Sequence, residues 1–122
     1  MKGIKYQRYP SIVKENGNIP TKEKIRKIEQ AVLDYKKALI KVGFYDSLQK
    51  LDEDQESDRA YYQAFINYFN QILNSVSKMT KEYIKNEYIS RNDKHWYEKE
   101  HSRSFYFKLR SIAINEFYLF IQ

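Results

Sequence analysis

Between residues 25 and 42 the apolar side chains Ile25, Ile28, Val32, Tyr35, Leu39 and Val42 recur at intervals of three and four. That alternation draws one narrow apolar seam along a helix, suited to packing against a single long partner helix. Thr21, directly after Pro20, supplies an N-cap, and Gly43 supplies a C-cap. The spacing therefore predicts a first helix over residues 21–43. Its partner is either another helix of the chain or a second subunit. In the second case the same six residues are a dimer seam.

A wider stripe follows. Tyr61, Tyr62, Phe65, Ile66, Tyr68, Phe69, Ile72, Leu73 and Val76 cover nearly half a helix circumference, which predicts a central, deeply buried helix running to about Val76. Ser57 or Asp58 is its expected cap. The preceding "LDEDQESD" places acids where a helix macrodipole favours negative charge. It lacks the glycine of a calcium loop, and Gln63 stands where that loop needs a glutamate.

Three shorter helices complete the pattern. Thr80 is the expected cap of "KEYIKNEYI", Asp93 of "KHWYEKE" and Ser102 of "RSFYFKLRSIAINEFYLF". The connections are short, as helical domains prefer, and no segment alternates with the period of a strand. The reading is all-α: a small domain of about five helices. Both prolines and two of the three glycines fall in residues 1–20, which predicts an extended basic arm there. A helical platform over 21–77 and a helix-turn-helix region over 78–122 make up the rest of one compact domain.

Composition narrows the function. The chain has 122 residues, 42% of them apolar, enough for one modest core. It contains no apolar run long enough to span a membrane, and its first residues lack the apolar stretch of a secretory signal. With no cysteine there are no disulfides or thiolate metal sites, and a cytoplasmic setting is expected. The net charge is +6, with the isoelectric point near 9.3. Residues 1–50 hold twelve Lys/Arg against five acids, residues 51–77 one against five, and residues 78–122 nine against six. A basic balance points to a polyanion partner, although lysine-rich, AT-encoded composition accounts for part of it.

Enzyme chemistry is not expected. No phosphate loop, HExxH, nucleophile elbow or metal-spaced cluster occurs. His95 and His101 fall on different predicted helices with no companion ligands. No catalytic residue, metal or cofactor is therefore assigned.

The last predicted helix differs from a scaffold helix. At 100° per residue, Phe105, Leu109, Ile112, Ala113 and Phe120 gather on one side. The other side carries Ser104, Phe107, Ser111 and Tyr118, flanked by Arg103, Lys108, Arg110 and Asn115. Hydroxyls and cations for phosphates, with an apolar group for a thymine methyl, are what a groove-reading helix needs. Ser102 leaves backbone N–H groups free for a phosphate at the helix start. A short helix, the turn at "HS" and a longer helix form a helix-turn-helix order. DNA-binding residues are thus expected at Ser102, Arg103, Ser104, Phe107, Lys108, Arg110 and Ser111.

The stretch "SRSFYFKLRSIAINEF" resembles the recognition helix of phage late-gene transcriptional regulators of the ArpU type, and more distantly sigma-factor region 4. Ser102, Arg103, Ser104, Phe107, Lys108, Leu109, Arg110, Ala113 and Phe117 stand at the positions of that pattern. Short proteins of mollicutes are similar over the same part. Trp96 and Tyr97 are bulkier than the pattern, and Ile112 replaces a position often basic. The resemblance implies a transcriptional regulator that binds double-stranded DNA through a sigma-like helix-turn-helix. The alternative is an interaction module of the same fold that contacts RNA polymerase or a homologous subunit.

Overall fold

A computed structural model of the chain describes residues 21–90 and 103–122. Helix α1 spans Thr21–Asp46 and helix α2 spans Glu53–Ser75. Helix α3 spans Lys78–Ile84 and passes directly into a π-helical segment, Lys85–Ser90. Helix α4 spans Arg103–Ile121. The described residues are all helix and short connection, with no strand among them. The expected arm at 1–20, the fourth predicted helix with its Asp93 cap, and Ser102 lie outside the described residues.

Helix ends differ from expectation in three places, each for a local reason. Gly43 lies inside α1, which continues to Asp46. There the Ser47 N–H reaches the carbonyls of Gly43 at 3.2 Å and Phe44 at 3.1 Å, and Ser47 Oγ donates to Phe44 O. A glycine cap is unnecessary once those orphan carbonyls are paired. α2 begins five residues ahead of the expected cap. Asp52 accepts from the Gln55 N–H at 2.8 Å, and Gln55 Oε1 accepts from the Asp52 N–H at 3.1 Å. This reciprocal capping box satisfies two orphan donors at once and outcompetes Ser57 or Asp58. The third helix is capped by Ser77, not Thr80, which sits inside the first turn.

α1 and α2 form an antiparallel pair across the short 47–52 connection. Contacts run in opposite order along the two helices. Asp46 meets Arg59, Tyr45 meets Asp58, and Tyr35 stacks on Phe69 with ring centroids 4.3 Å apart. α4 and α3 close over the open end of this pair. The main core joins Ile28 and Val32 of α1, Phe69 and Leu73 of α2, Tyr83 and Ile84 of α3, and Leu109, Ala113, Ile114 and Phe117 of α4. A smaller cluster of Ala38, Val42 and Ile66 lies toward the connection.

Burial along α1 largely follows the predicted seam. Ile28, Val32 and Val42 are buried, and Ile25 and Tyr35 half-buried. Ala38 is buried where Leu39 was expected, and Leu39 is exposed. Ala38 packs with Val42 and with Ile66 of α2 in the smaller cluster, so the contact there is centred one residue away from the expected position. On α2, Ile66, Phe69, Ile72, Leu73 and Val76 are buried, whereas Tyr61 and Tyr68 are exposed. Among the described residues no helix is long and apolar enough to cross a membrane.

Candidate nucleic-acid interface

α4 has one face in the core and one in solvent. Tyr106, Leu109, Ala113, Ile114, Phe117 and Tyr118 are buried. Ser104, Phe107, Lys108 and Ser111 are exposed, with Phe107 at 53%. The buried stripe is rotated from the expected one. Phe105, Ile112 and Phe120 lie at the exposed margin, and Tyr118 turns inward. The reason is that α4 meets two neighbours at once, α3 on one flank and α1 with α2 on the other. Its buried arc is wide and centred between them, so the apolar count of the helix alone misplaces it.

Three polar contacts hold α4 in this rotation. The first is at Glu116, buried amid the apolar stripe. Its carboxylate accepts from the Ser77 N–H at 3.0 Å, from Ser77 Oγ at 3.0 Å and from Thr80 Oγ1. An anion at the N-terminus of α3 satisfies an orphan N–H and meets the positive end of the helix dipole. The second joins Lys24 of α1, also buried, to Asn115, whose Oδ1 accepts from Lys24 Nζ. Burial holds the Lys24 ammonium below the usual lysine range. Asn115 Nδ2 donates to the Ser111 carbonyl, so both ends of this amide are engaged within the fold. Asn115 is thereby fixed as a brace, although its place on the wheel put it beside the expected readers.

The third contact is aromatic. Tyr83, Tyr88 and Tyr106 gather where α3 and the π segment meet the start of α4, with ring centroids about 6 Å apart around Tyr83. Tyr106 Oη donates to Glu87 Oε1 at 3.1 Å. Burial pushes all three phenols above their ordinary range, with Glu87 adding to the rise. Arg110 is near enough to Tyr88 and Tyr106 to oppose that rise. It is half-buried at the edge of the cluster, and Lys108 is the more exposed cation.

The expected DNA-binding residues therefore divide. Ser104, Phe107, Lys108 and Ser111 share one exposed face, and Arg110 borders it. Arg103 begins the helix, and Ser102 lies outside the described residues. A second basic feature lies on α3 and its extension. Lys78, Lys81 and Lys85, three and four apart, line a shallow groove with Asn86 and Ser90. Lys81 Nζ donates to Asn74 Oδ1 at 2.7 Å. The helix–helix braces were harder to anticipate. Glu116 stood out only as a charge among apolar neighbours, and Ser77 and Lys24 gave no sequence signal. Compared with protein-family models, with curated proteins and with solved structures, the chain matches none.

Proposed function

We propose that the chain is a non-enzymatic transcriptional regulator that lays the exposed face of α4 on double-stranded DNA. The observation that carries this reading is Phe107, an aromatic 53% exposed between two serines and a lysine on a helix whose opposite face is anchored in the core. Such a face combines phosphate donors with an apolar group able to meet a base step. The basic balance of the chain, the lysine row of α3 and the resemblance of α4 to sigma-like recognition helices support the same partner.

Duplex binding followed by anisotropy across a salt series tests the proposal. About five phosphate contacts give a log–log slope near −4 to −5, through release of condensed counterions. Binding to random duplex that tightens on a subset of genomic fragments is the expected result. No binding at about 50 mM salt, where the electrostatic contribution is strong, overturns it. Phe107 then belongs to a protein contact, with RNA polymerase as the first partner to assay.

A further inference from the structure

We propose that the groove between α1 and α2 binds single-stranded nucleic acid, with bases on the α2 wall and phosphates on the α1 wall. The site is separate from the exposed face of α4, and the inference does not depend on duplex binding there.

Two hollows of about 260 and 370 Å³ lie between α1 and α2 and share Asp34 and Phe65. Together they make one groove. On α1 it runs from Lys27 to Lys41, roughly 21 Å at the helical rise. Tyr118 and Ile121 of α4 close one end.

The two walls divide their chemistry. α2 supplies Tyr61, Phe65 and Tyr68, at intervals of four and three, so the rings project as one row. Tyr61 is 70% and Tyr68 48% exposed, and Phe65 is half-buried. Tyr62 meets Tyr61 edge-on, with ring centroids 5.4 Å apart, and braces the most exposed ring. α2 places no cation in the groove. α1 supplies Lys27, Lys37 and Lys41, all exposed, and no aromatic ring. Among the described residues none of these lysines has an ion-pair partner. One acid of the lining stands against them: Asp34, which accepts from Gln30 Nε2 at 2.9 Å.

Charge alone would fit any polyanion, and rings alone any apolar partner. Their segregation onto opposite walls selects the occupant. A single strand carries unpaired bases along one edge and phosphates along the other. Its bases stack on exposed rings while cations track the backbone. A duplex keeps its bases inside the stack and offers the α2 row no such face. An acidic amphipathic helix needs apolar contact from both walls, and α1 offers it only Ala31 and Ala38. The groove accommodates about four nucleotides, the lower end of single-strand sites.

Anisotropy of a short labelled oligothymidylate, titrated with the full chain at about 50 mM salt, tests the site. An abasic strand of equal length keeps the phosphates and lacks the bases. The expected result is that thymidylate binds and the abasic strand binds at least about fivefold more weakly, the lower limit for stacking one base. Tyr61→Ala and Tyr68→Ala each weaken thymidylate by about fivefold or more and leave the abasic strand as it was. Both tyrosines are exposed, so the thermal midpoints of these variants stay at that of the parent chain. Lys37→Gln lowers the salt slope by about 0.7 for either strand. A chain that holds the strand through Tyr61 but binds no duplex supports this site and overturns only the α4 reading. No binding to thymidylate overturns the proposal, whether or not duplex or an acidic helical peptide binds. Equal affinity for the two strands overturns it as well, as does a strand released by Phe107→Ala but by neither tyrosine variant.

Discussion

The two ends of the α1–α2 pair are held by different means. At the connected end a small cluster of Ala38, Val42 and Ile66 is supplemented by exposed polar pairs, Arg59 with Asp46 at 2.6 Å and Tyr45 with Asp58 at 3.4 Å. At the open end, large side chains from all four helices meet, the Thr80–Glu116 contact is buried, and those of Glu116 with Ser77 and of Lys24 with Asn115 are partly shielded from water. Shielded hydrogen bonds act at full strength and are costly to break, whereas exposed ones compete with water and salt. The larger cluster and the more shielded polar contacts thus both lie under α4, the helix that presents Phe107.

The contrast is broken most directly by truncating one core residue at each end. Phe117, fully buried at the open end, should cost about 3–5 kcal/mol as Phe117→Ala. Ile66→Ala at the connected end should cost near the lower limit for its class, about 2 kcal/mol, because its surroundings can collapse. Urea unfolding measures both. Equal costs mean that the two ends are equally packed. Next in size is the Glu116 contact. Glu116→Ala leaves the buried Thr80 hydroxyl and the half-buried Ser77 N–H without their acceptor and should cost about 1–3 kcal/mol for such a loss.

Phe107 separates presentation from support. Phe107→Ala should shift stability by less than about 0.5 kcal/mol, since it is exposed. It should weaken specific duplex binding by about 1–3 kcal/mol if it meets a base step. Lys108→Ala should weaken all sequences alike and reduce the salt slope by about 1. If Phe107→Ala instead destabilises the fold by several kcal/mol, this face is not free for a partner.

Alkaline pH sharpens the comparison further. Tyr83, Tyr88 and Tyr106 titrate above the ordinary 10.0 when folded. Above that pH the unfolded chain releases protons that the native state retains, so stability falls as pH rises. Lys24, shifted below 10.5, acts oppositely until the unfolded lysine also loses its proton. Tyr45 beside Asp58 is raised as well, so four phenols stand against one ammonium. The net change is loss, and Tyr83→Phe should lessen it in thermal melts across this range. The smallest effect belongs to Arg59→Ala. Asp46 is held below the usual carboxylate range by its hydrogen bond to Arg59. What the pair adds is present at neutral pH and fades as acid protonates Asp46. High salt should mask it, leaving the unfolding midpoint at neutral pH unchanged within error.

Much of the architecture could be read before the structure, because α1 and α2 carry long, regular apolar spacing. Their ends were harder. Asp52 and Ser57 are both sound caps in isolation, and only the reciprocal bond from Gln55 favours the earlier one. The rotation of α4 was half legible. Ser104, Phe107, Lys108 and Ser111 face solvent as the wheel placed them, but Tyr118 and Asn115 are drawn toward α1 and its neighbours. A single helix's pattern reports how apolar its faces are, not how many helices it touches. Ser77 and Thr80 show the same limit. Both are plausible caps, and the carboxylate that organises them arrives from 39 and 36 residues away.

That distant carboxylate has a consequence for how the chain opens. α3 is seven residues long, well short of the length at which an isolated helix persists in water. Its first amides depend on Glu116, and its buried face depends on Leu109 and Ala113 of the same helix. α3 should therefore exchange its amide hydrogens only when α4 lifts away, and the two should appear as one unit in native-state exchange. Amides of α1 and α2 beside the 47–52 connection should exchange by smaller, separate openings. In Glu116→Gln, exchange in α3 should quicken several-fold while that of the connected end keeps its pace.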